Sequence, residues 1–316
     1  MWGEKSMKNY RVFDAHCDTM RVVWEKNENL KETSCMVGLN MLKKYSGFTQ
    51  IFAAWINSKE GNPLAQAVCI ADKFYEEISR NQLTPIFDAE TLTDVVTGNK
   101  LGAILALEDG VALCGDIRVL NMLHKLGFRA VTLTWNGSNE LGDGAVDSEG
   151  KGLTAFGKDV VRKMNELGMV VDVSHLSERG FWDVIELSSK PIMASHSNAR
   201  AICDHPRNLS DEQLRALIKN NGAVGINLYN VFLNGTNDAS MTDVIRHIEH
   251  ILSLGGENII GMGADYDGMD FAAKGIENAG KLCCLFDELS KLGYSDELIE
   301  KLTYKNFVRV FSECLR

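Results

Sequence analysis

The sequence predicts an α/β fold of the (β/α)8 type, a TIM barrel in which eight parallel strands alternate with helices. Three observations lead to this prediction. Eight short runs of strand-forming residues are spread along the 316 residues of the chain. Stretches with apolar residues at three-to-four spacing, which is typical of amphipathic helices, separate these runs. Histidines and carboxylates end several runs, where such barrels place their active-site residues.

The eight candidate strands are short apolar runs bounded by turn residues. They cover residues 10–16, 48–56, 102–108, 129–135, 168–175, 191–197, 222–229 and 258–265. Alternation with helices predicts parallel pairing, because parallel neighbours need a crossover connection that is usually helical. A doubly wound open sheet shows the same alternation and is the rival architecture.

Four helices between the strands have the clearest periodicity. They cover residues 63–80, 115–127, 154–168 and 210–222. The sequences NELG and KNNG end two of them with residues that favour helix C-caps. Ser210 precedes two acidic residues and is a typical N-cap. These signals support helices of ordinary length between consecutive strands.

The composition is that of a globular protein, and we expect a single domain over residues 1–316. The chain is 45% hydrophobic and 24% charged, with 33 basic and 43 acidic residues and a net charge of -10. This acidic balance argues against nucleic acid as a partner, because its binders depend on clustered Lys and Arg. No run approaches the roughly 18 apolar residues of a membrane span, and the N-terminus lacks a signal-peptide core.

The eight cysteines show no CxxC pattern and no regular spacing. Zinc-ribbon and redox motifs are therefore not indicated. Reduced thiols in a cytoplasmic protein are the simpler interpretation. We therefore expect a cytoplasmic protein that is not associated with a membrane.

Six acidic or imidazole side chains come at the ends of predicted strands. They are His16, Asp18, Glu108, His175, His196 and Asp265. A mixed set of nitrogen and oxygen donors suits Zn²⁺, with Mn²⁺ or Co²⁺ as substitutes. Because the set exceeds the three protein ligands of a single catalytic zinc, it favours two metals that share a carboxylate.

The His-x-Asp spacing at residues 16–18 fits this interpretation. Residues i and i+2 of an extended strand point to the same side, so His16 and Asp18 would both face the barrel mouth while Cys17 points away. Other polar residues near strand ends have simpler explanations. Asp109 and Asp267 are expected to cap helices or anchor loops, and His205 to cap or pack its loop.

The same residues lie in motifs that resemble a known family. The sequences FDAHCDT, ALEDG, VDVSHLSERGFWDV, PIMASHSNARAICDHPRNLSDEQL and GADYDG are similar to motifs of the membrane dipeptidase (renal dipeptidase) family of zinc peptidases, family M19. They run in the family's order from about residue 10 to 312, and YKNFVRVF is similar to its C-terminal helix. The chain looks like a soluble member of the bacterial type.

The resemblance implies a role for each site residue. His16 and Asp18 would bind one zinc, His175 and His196 the other, and Glu108 would bridge both. Asp265 would contact the water between the metals and shuttle its proton to the leaving amine. Arg207 matches the arginine that holds the substrate carboxylate. The resemblance also implies the (β/α)8 fold and a homodimer.

One stretch departs from the family pattern. Mammalian members carry a substrate-binding histidine after the fourth strand, whereas this chain reads LTWNGSNELGDG, with Trp135 or Asn136 in that place. Asn136 could donate a hydrogen bond to substrate there, and Tyr229 is a further candidate substrate contact. The departure bears on substrate preference and rate more than on metal binding.

These observations predict a binuclear zinc dipeptidase that acts on small dipeptides, including those with a C-terminal D-amino acid. Another metal-dependent amidohydrolase on the same barrel, such as an amidase, lactonase or deaminase, is the main alternative, because one fold hosts many chemistries. A binding protein that has lost catalysis would need a missing ligand or proton shuttle, and neither is missing.

Overall fold

The computed structural model describes residues 9–146 and 149–316 of the chain. Within these ranges eight parallel strands form the central sheet. They are β1 (Arg11–Cys17), β2 (Gly47–Trp55), β3 (Leu101–Glu108), β4 (Phe128–Thr132), β5 (Val170–Asp172), β6 (Met193–Ala194), β7 (Ala223–Ile226) and β8 (Ile260–Met262). Each corresponds to one of the eight predicted runs.

The sheet closes into a barrel. Each strand pairs in parallel with the next in the chain, and β8 returns to β1 through the pair Asp14↔Met262. β2 and β3 pair along their whole length, from Phe48↔Leu101 to Trp55↔Glu108. A further two-residue strand, Thr84–Pro85, pairs only with the start of β3. Closure confirms the (β/α)8 prediction and excludes the doubly wound open sheet.

Thirteen α-helices surround the barrel in the described ranges. They are α1 (Thr19–Glu25), α2 (Leu39–Leu42), α3 (Pro63–Asn81), α4 (Ala89–Thr97), α5 (Ile117–Lys125), α6 (Ala155–Leu167), α7 (Glu178–Leu187), α8 (Asp211–Asn220), α9 (Asn230–Asn234), α10 (Met241–Ser253), α11 (Leu282–Lys291), α12 (Asp296–Glu300) and α13 (Asn306–Cys314). The four predicted helices correspond to α3, α5, α6 and α8. No helix in these ranges has the length and apolar character needed to cross a membrane.

The predicted helix ends are also confirmed. Ser210 accepts from the backbone N–H of Gln213, whose side chain accepts from the N–H of Ser210 in return, which forms a capping box. Gly168 ends α6 and Asn221 ends α8, both with left-handed backbone at φ 76° and 60°. The cap residues therefore define where these helices begin and end through local interactions, independently of contacts with the barrel.

The barrel interior holds a compact apolar cluster at the amino-terminal end of the strands. Seven strands contribute to it, and α13 adds Phe307, Val310 and Phe311. The ring of Phe13 on β1 lies 5.5 Å from that of Phe307 and 5.3 Å from that of Phe311. α13 therefore closes this end of the barrel, and the opposite end is left to the polar residues that follow the strands.

The last four strands are shorter than predicted. β5 ends at Asp172 and β6 at Ala194, so His175 and His196 lie just beyond the regular sheet. The reason is local, because the carboxylate of Asp172 accepts from the backbone N–H of Ser174 and turns the chain out of the ladder. The eight cysteines all carry free thiols.

Candidate metal centre

The six strand-end residues predicted from the sequence converge at the carboxyl-terminal end of the barrel. They are His16, Asp18, Glu108, His175, His196 and Asp265, and each is at most 7% exposed. They come from β1, β3 and the segments that follow β1, β5, β6 and β8. Parallel strands of a closed barrel all end at the same rim, so residues far apart in sequence become neighbours.

The way β1 presents His16 differs from the simple alternation that we expected. The register between β1 and β2 shifts between Asp14 and Cys17, so an extra residue of β1 is accommodated there. Asp18 lies outside the strand at φ -95° and ψ 9°, as the residue before α1. His16 and Asp18 still share one side, while Cys17 packs in the apolar layer between sheet and helices.

Two of the six residues adopt left-handed backbone, which is uncommon for side chains other than Gly. His175 has φ 68° and Asp265 has φ 63°. The carbonyl of His175 accepts hydrogen bonds from Ala145 N–H at 2.6 Å and Thr134 Oγ1 at 3.2 Å. The N–H of Asp265 donates to the carbonyl of His16 at 3.1 Å. The surrounding loops thus hold both residues in a conformation that costs on the order of 1–3 kcal/mol.

One oxygen of Glu108 faces the first group of donors. Its Oε2 lies 3.3 Å from His16 Nε2, and the same nitrogen lies 3.5 Å from Asp18 Oδ2 and 3.8 Å from Asp265 Oδ1. His16 Nε2, Asp18 Oδ1 and Glu108 Oε2 are buried without a hydrogen-bond partner. Buried polar atoms in proteins are nearly always partnered, so these three atoms are suited to bind a cation or a water.

The other oxygen of Glu108 faces a second group. Oε1 lies 3.1 Å from His175 Nε2 and 3.9 Å from His196 Nε2, and the two imidazole nitrogens are 2.9 Å apart. Ligands held about 2.0–2.1 Å from a tetrahedral zinc lie about 3.3 Å from one another, which is close to these separations. The two oxygens of Glu108 thus face different donor nitrogens.

The charges of these groups are set by burial and by one another. Burial lowers the pKa of His16, but the carboxylates of Glu108 and Asp18 outweigh it and raise that pKa well above its usual range. Burial, with the nearby positive charges of Arg207 and His16, holds the pKa values of His175 and His196 well below their usual range. Both imidazoles are therefore neutral near pH 7, which metal binding requires.

Burial raises the pKa values of the carboxyl groups, whereas it lowers those of the imidazoles. Burial, assisted by the charge of Asp18, raises the pKa of Glu108 to about 8. Burial also raises the pKa of Asp265 to about 6, against the favourable charge of His16. Three crowded carboxyl groups and two neutral imidazoles form an environment that a divalent cation would stabilise.

A glycine keeps room for these carboxylates. A Cβ atom on Gly268 would stand 2.3 Å from Asp18 Oδ2 and 2.6 Å from Asp265 Oδ1, which is closer than any real contact. The donors, their spacing, their partnerless atoms and this space all fit a divalent metal of the zinc type.

A cavity of about 410 Å³ opens above the centre. Asp18, Glu108, His175 and Asp265 line it at the metal centre, and Trp55, Trp135, Asn136, Tyr229 and Phe232 are among its other wall residues. The rings of Trp55 and Trp135 lie 5.2 Å apart, and Trp135 lies 6.2 Å from the His175 ring. The residue that departs from the family pattern is therefore a wall of the cavity, and Trp135 is 36% exposed.

Arg207 lies beside the cavity but does not line it. It is 3% exposed, and its guanidinium lies 5.5 Å from the ring of Phe232, which does line the cavity. Its Nε has no hydrogen-bond partner, and one terminal nitrogen donates weakly to the His196 carbonyl at 3.4 Å. Burial lowers its pKa to about 10, so it stays cationic at neutral pH.

Asn136 already has a partner in this arrangement. Its Oδ1 lies 2.9 Å from His175 Nδ1, and so the amide oxygen accepts from the imidazole. Tyr229 is half-buried in the cavity wall, with its ring 4.9 Å from that of Phe232. The structure brings Asn136 and Tyr229 to the cavity, and their contact with substrate stays a prediction.

The residues expected to serve only as anchors do so. Asp109 accepts from Val111 N–H and Asn139 Nδ2, and Asp267 accepts from Met36 N–H and Thr19 Oγ1. His205 accepts from the N–H of Arg207.

Three buried residues near the centre were missed by the sequence reasoning. Asn227 donates to Asp265 Oδ2 at 2.8 Å, and Asp172 accepts from the hydroxyl of Ser195, the residue before His196. In the sequence they are marked only as polar residues near a strand end, at positions that alternation places inside the barrel. Such residues are too common to single out.

Comparison with known proteins gives a consistent result. The profile of the family "membrane dipeptidase (peptidase family M19)" matches residues 4–315. A dipeptidase of Aspergillus oryzae, aclJ, is 36% identical over 68% of this chain, and an uncharacterised dipeptidase of Schizosaccharomyces pombe is 35% identical over 67%. The matched segments span 52% and 53% of those two proteins, about half their length.

Solved structures match over nearly the whole chain. Dipeptidase AC, a metallopeptidase of family M19, has a TM-score of 0.89 at 26% identity and covers 98% of this chain and 99% of its own. A metallopeptidase from Rhodobacter sphaeroides, solved with a phosphinate mimic of the dipeptide L-Ala-D-Ala, has a TM-score of 0.89 at 25% identity. It covers 97% of this chain and 100% of its own.

Proposed function

This chain belongs to the membrane dipeptidase family, peptidase family M19, and from this premise we propose that it is a binuclear zinc dipeptidase. The observation that carries the proposal is the position of Glu108, whose Oε2 faces His16 Nε2 and whose Oε1 faces His175 Nε2. The proposed ligands are His16 and Asp18 for one ion and His175 and His196 for the other, with Glu108 shared.

Zinc held at these positions would supply Lewis-acid polarisation of the peptide carbonyl and a lowered pKa for the attacking water. The chain's own residues supply the rest. The donor residues are each at most 7% exposed, and this burial strengthens electrostatic interactions in the site. The left-handed backbone of His175 and Asp265 holds both side chains toward the centre.

Asp265 is proposed to move the proton. Its Oδ2 accepts from Asn227 Nδ2, which leaves Oδ1 directed to the cavity beside His16. A carboxylate held in this way can take a proton from the attacking water at Oδ1 and deliver it to the departing amine. Asn227 is held in turn, since its Oδ1 accepts from the N–H of Tyr229 at 2.7 Å.

Arg207 is proposed to hold the carboxylate of the substrate. Its Nε–H has no partner, and a guanidinium can bind a carboxylate with two parallel hydrogen bonds. The cavity has a volume of about 410 Å³ and the candidate metal ligands line it, so a substrate that binds within it must be short. A dipeptide fits this description.

A related structure supports tolerance at the second residue of the dipeptide. The related metallopeptidase from Rhodobacter sphaeroides was solved with a mimic of L-Ala-D-Ala. We propose that this chain also accepts a C-terminal D-amino acid. The expectations of a homodimer and of a cytoplasmic location stay predictions.

The test is a substrate panel with zinc-loaded protein. We expect cleavage of L-Ala-L-Ala and L-Ala-D-Ala that stops with a chelator and returns with zinc. L-Ala-L-Ala amide lacks the carboxylate, so its kcat/KM should be at least about tenfold lower, because a charge-assisted hydrogen bond is worth about 1.5–3 kcal/mol. Cleavage of a lactone with no cleavage of dipeptides would instead assign the centre to another hydrolysis.

A further inference from the structure

A chain of three polar groups runs from the candidate metal centre into the barrel interior. His196 Nδ1 lies 2.7 Å from Ser195 Oγ, and Ser195 Oγ lies 2.5 Å from Asp172 Oδ2. All three residues are at most 1% exposed. The other ring nitrogen of His196, Nε2, is the atom that faces Glu108 and His175.

The direction of each hydrogen bond follows from the partners. Four donors surround Asp172: the hydroxyls of Thr132 and Ser195 at Oδ2, and the N–H groups of Ser174 and Ser195 at Oδ1. An ionised carboxylate only accepts, which matches four donors. The Ser195 hydroxyl therefore gives its hydrogen to Asp172, and its oxygen accepts from His196 Nδ1–H.

The alternative partner of Ser195 is weaker. Ser174 Oγ lies 3.4 Å from Ser195 Oγ, compared with 2.5 Å for the carboxylate. Hydrogen bonds to ionised acceptors are shorter and about twice as strong as neutral ones. The proton of His196 is therefore held on Nδ1, and the lone pair of Nε2 is directed to the metal centre.

The backbone fixes Ser195 in place. Gly225 on β7 and Gly263 after β8 stand against the Ser195 carbonyl, and a Cβ on either would lie 2.0 Å or 1.7 Å from that oxygen. Only glycine at both positions lets the end of β6 sit this deep in the barrel. The backbone of Ser195 is thus held by close packing against Gly225 and Gly263, and its hydroxyl is held by Asp172.

The second imidazole of the same centre is held differently. His175 Nδ1 is bonded to the neutral amide of Asn136, which is half-buried in the cavity wall. His196 is bonded to a hydroxyl that is itself bonded to a fully buried carboxylate. Partners on the far ring nitrogen fix the tautomer of a metal-binding histidine and raise its basicity, and a charged partner does so more strongly.

We propose that Asp172 and Ser195 are positioning residues for the metal centre, which hold His196 in the tautomer and orientation that bind the second ion. The inference rests on the proposed zinc centre and adds to it two residues that do not touch metal or substrate. Loss of such a partner typically costs 10–100-fold in metal affinity.

The test uses Ser195→Ala, because Asp172 then keeps three of its four donors and the fold has the least to lose. Zinc affinity is measured by competition with a chromogenic chelator, alongside zinc per chain and the melting temperature of the zinc-free protein. We expect wild type to hold two ions. In Ser195→Ala one ion should bind about 10–100-fold more weakly and the other unchanged.

Two variants serve as matched controls. Ser197→Ala removes a buried hydroxyl from the residue that follows His196, and this hydroxyl lies 3.4 Å from Ser174 Oγ. Thr132→Val removes the other hydroxyl that donates to Asp172 Oδ2 but leaves the Ser195 link intact. We expect both to bind two ions with affinities within about threefold of wild type.

The outcomes separate this inference from the proposed function. Wild type with two ions and an unchanged affinity in Ser195→Ala would overturn the role of Asp172 and Ser195 alone. An equal loss of affinity in Ser197→Ala would show a packing effect and also overturn it. Wild type that binds no zinc would overturn the proposed centre itself, and this inference with it. Restoration of Ser195→Ala activity by excess zinc at unchanged KM would support the inference.

Discussion

At the scale of single residues, the site depends on how each carboxylate is held. Glu108 has no hydrogen-bond partner for Oε2, whereas Asp265 has one oxygen fixed by Asn227 and the other directed to the cavity. A carboxylate whose two oxygens both face other metal-binding atoms is suited to bind cations. A carboxylate with a single free oxygen is suited to accept a proton. Environment thus separates two chemically similar side chains.

Asp265→Asn should separate proton transfer from metal binding. We expect the variant to keep two zinc ions, because the proposed ligands are unchanged, and to lose at least about 100-fold in kcat, because general acid–base groups typically contribute 10²–10⁴-fold. Zinc content and steady-state kinetics on L-Ala-L-Ala measure both. Asp270→Asn, an exposed carboxylate that lines the same cavity, is the matched control and should stay within about threefold. Near-normal turnover in Asp265→Asn would remove it from the mechanism.

The convergence of the candidate metal ligands could be predicted from sequence because their signal is local. A histidine or carboxylate directly after an apolar run marks the rim of a barrel, and six such residues coincide here. Asp172, Ser195 and Asn227 could not be predicted, because their importance lies in contacts between different strands. The sequence predicts Arg207 at the substrate carboxylate, and only the structure shows that its guanidinium lies 5.5 Å from the Phe232 ring and does not line the cavity.

At the scale of elements, the positions of the strands could be predicted from the hydrophobic runs. The residues at which the strands end could not. The shift in β1 between Asp14 and Cys17 turns His16 into the barrel, and no feature of the sequence marks it. The early ends of β5 and β6 depend on the Asp172 carboxylate, which replaces ladder hydrogen bonds with side-chain ones. Periodicity predicts which residues form an element, whereas competing side-chain hydrogen bonds decide where it stops.

Helix α10 carries a buried histidine that makes stability depend on pH. His247 Nε2 donates to the Leu233 carbonyl at 2.9 Å, and its Nδ1 accepts from Ala199 N–H at 3.2 Å. Burial lowers the pKa of His247 to about 4. The unfolded chain, with a histidine pKa of about 6.5, therefore binds the proton more readily than the folded protein does.

The direction of this pH dependence follows from the lowered pKa of His247. The stability from neutral His247 is fully present above pH 6.5 and is lost as pH falls toward 4, by up to about 3 kcal/mol. Urea unfolding of zinc-free wild type and His247→Gln across this range measures it. We expect the free energy of unfolding to fall less steeply with acid in the variant, by about that amount. Parallel curves would contradict the prediction, because all other titrating groups are common to both proteins.

At the scale of the whole molecule, the closed barrel places the apolar core and the candidate active site at opposite ends of its strands. α13 and the apolar interior cluster occupy the amino-terminal end of the strands, and the polar residues occupy the other. Closure brings His16 and Asp265 within 3.8 Å although nearly the whole chain lies between them. The alternation of strands and helices was enough to predict this closure, since eight parallel strands with crossover helices match the barrel architecture.

The contacts between the side chains of the cavity wall could not be predicted from the sequence. The contact of Trp135 with Trp55 joins a segment after β4 to the end of β2, and such pairs depend on how loops of different strands pack. The sequence indicated that Trp135 departs from the family pattern, but it could not show that its ring stands 6.2 Å from that of His175.

The most direct test of the two-ion centre is anomalous X-ray diffraction from zinc-loaded crystals, recorded on both sides of the zinc absorption edge. We predict two peaks per chain, one beside His16 and Asp18 and one beside His175 and His196. Each peak should lie about 2.0–2.2 Å from a different oxygen of Glu108. A single peak, or two peaks that do not share Glu108, would contradict the binuclear centre from which the proposed function is derived.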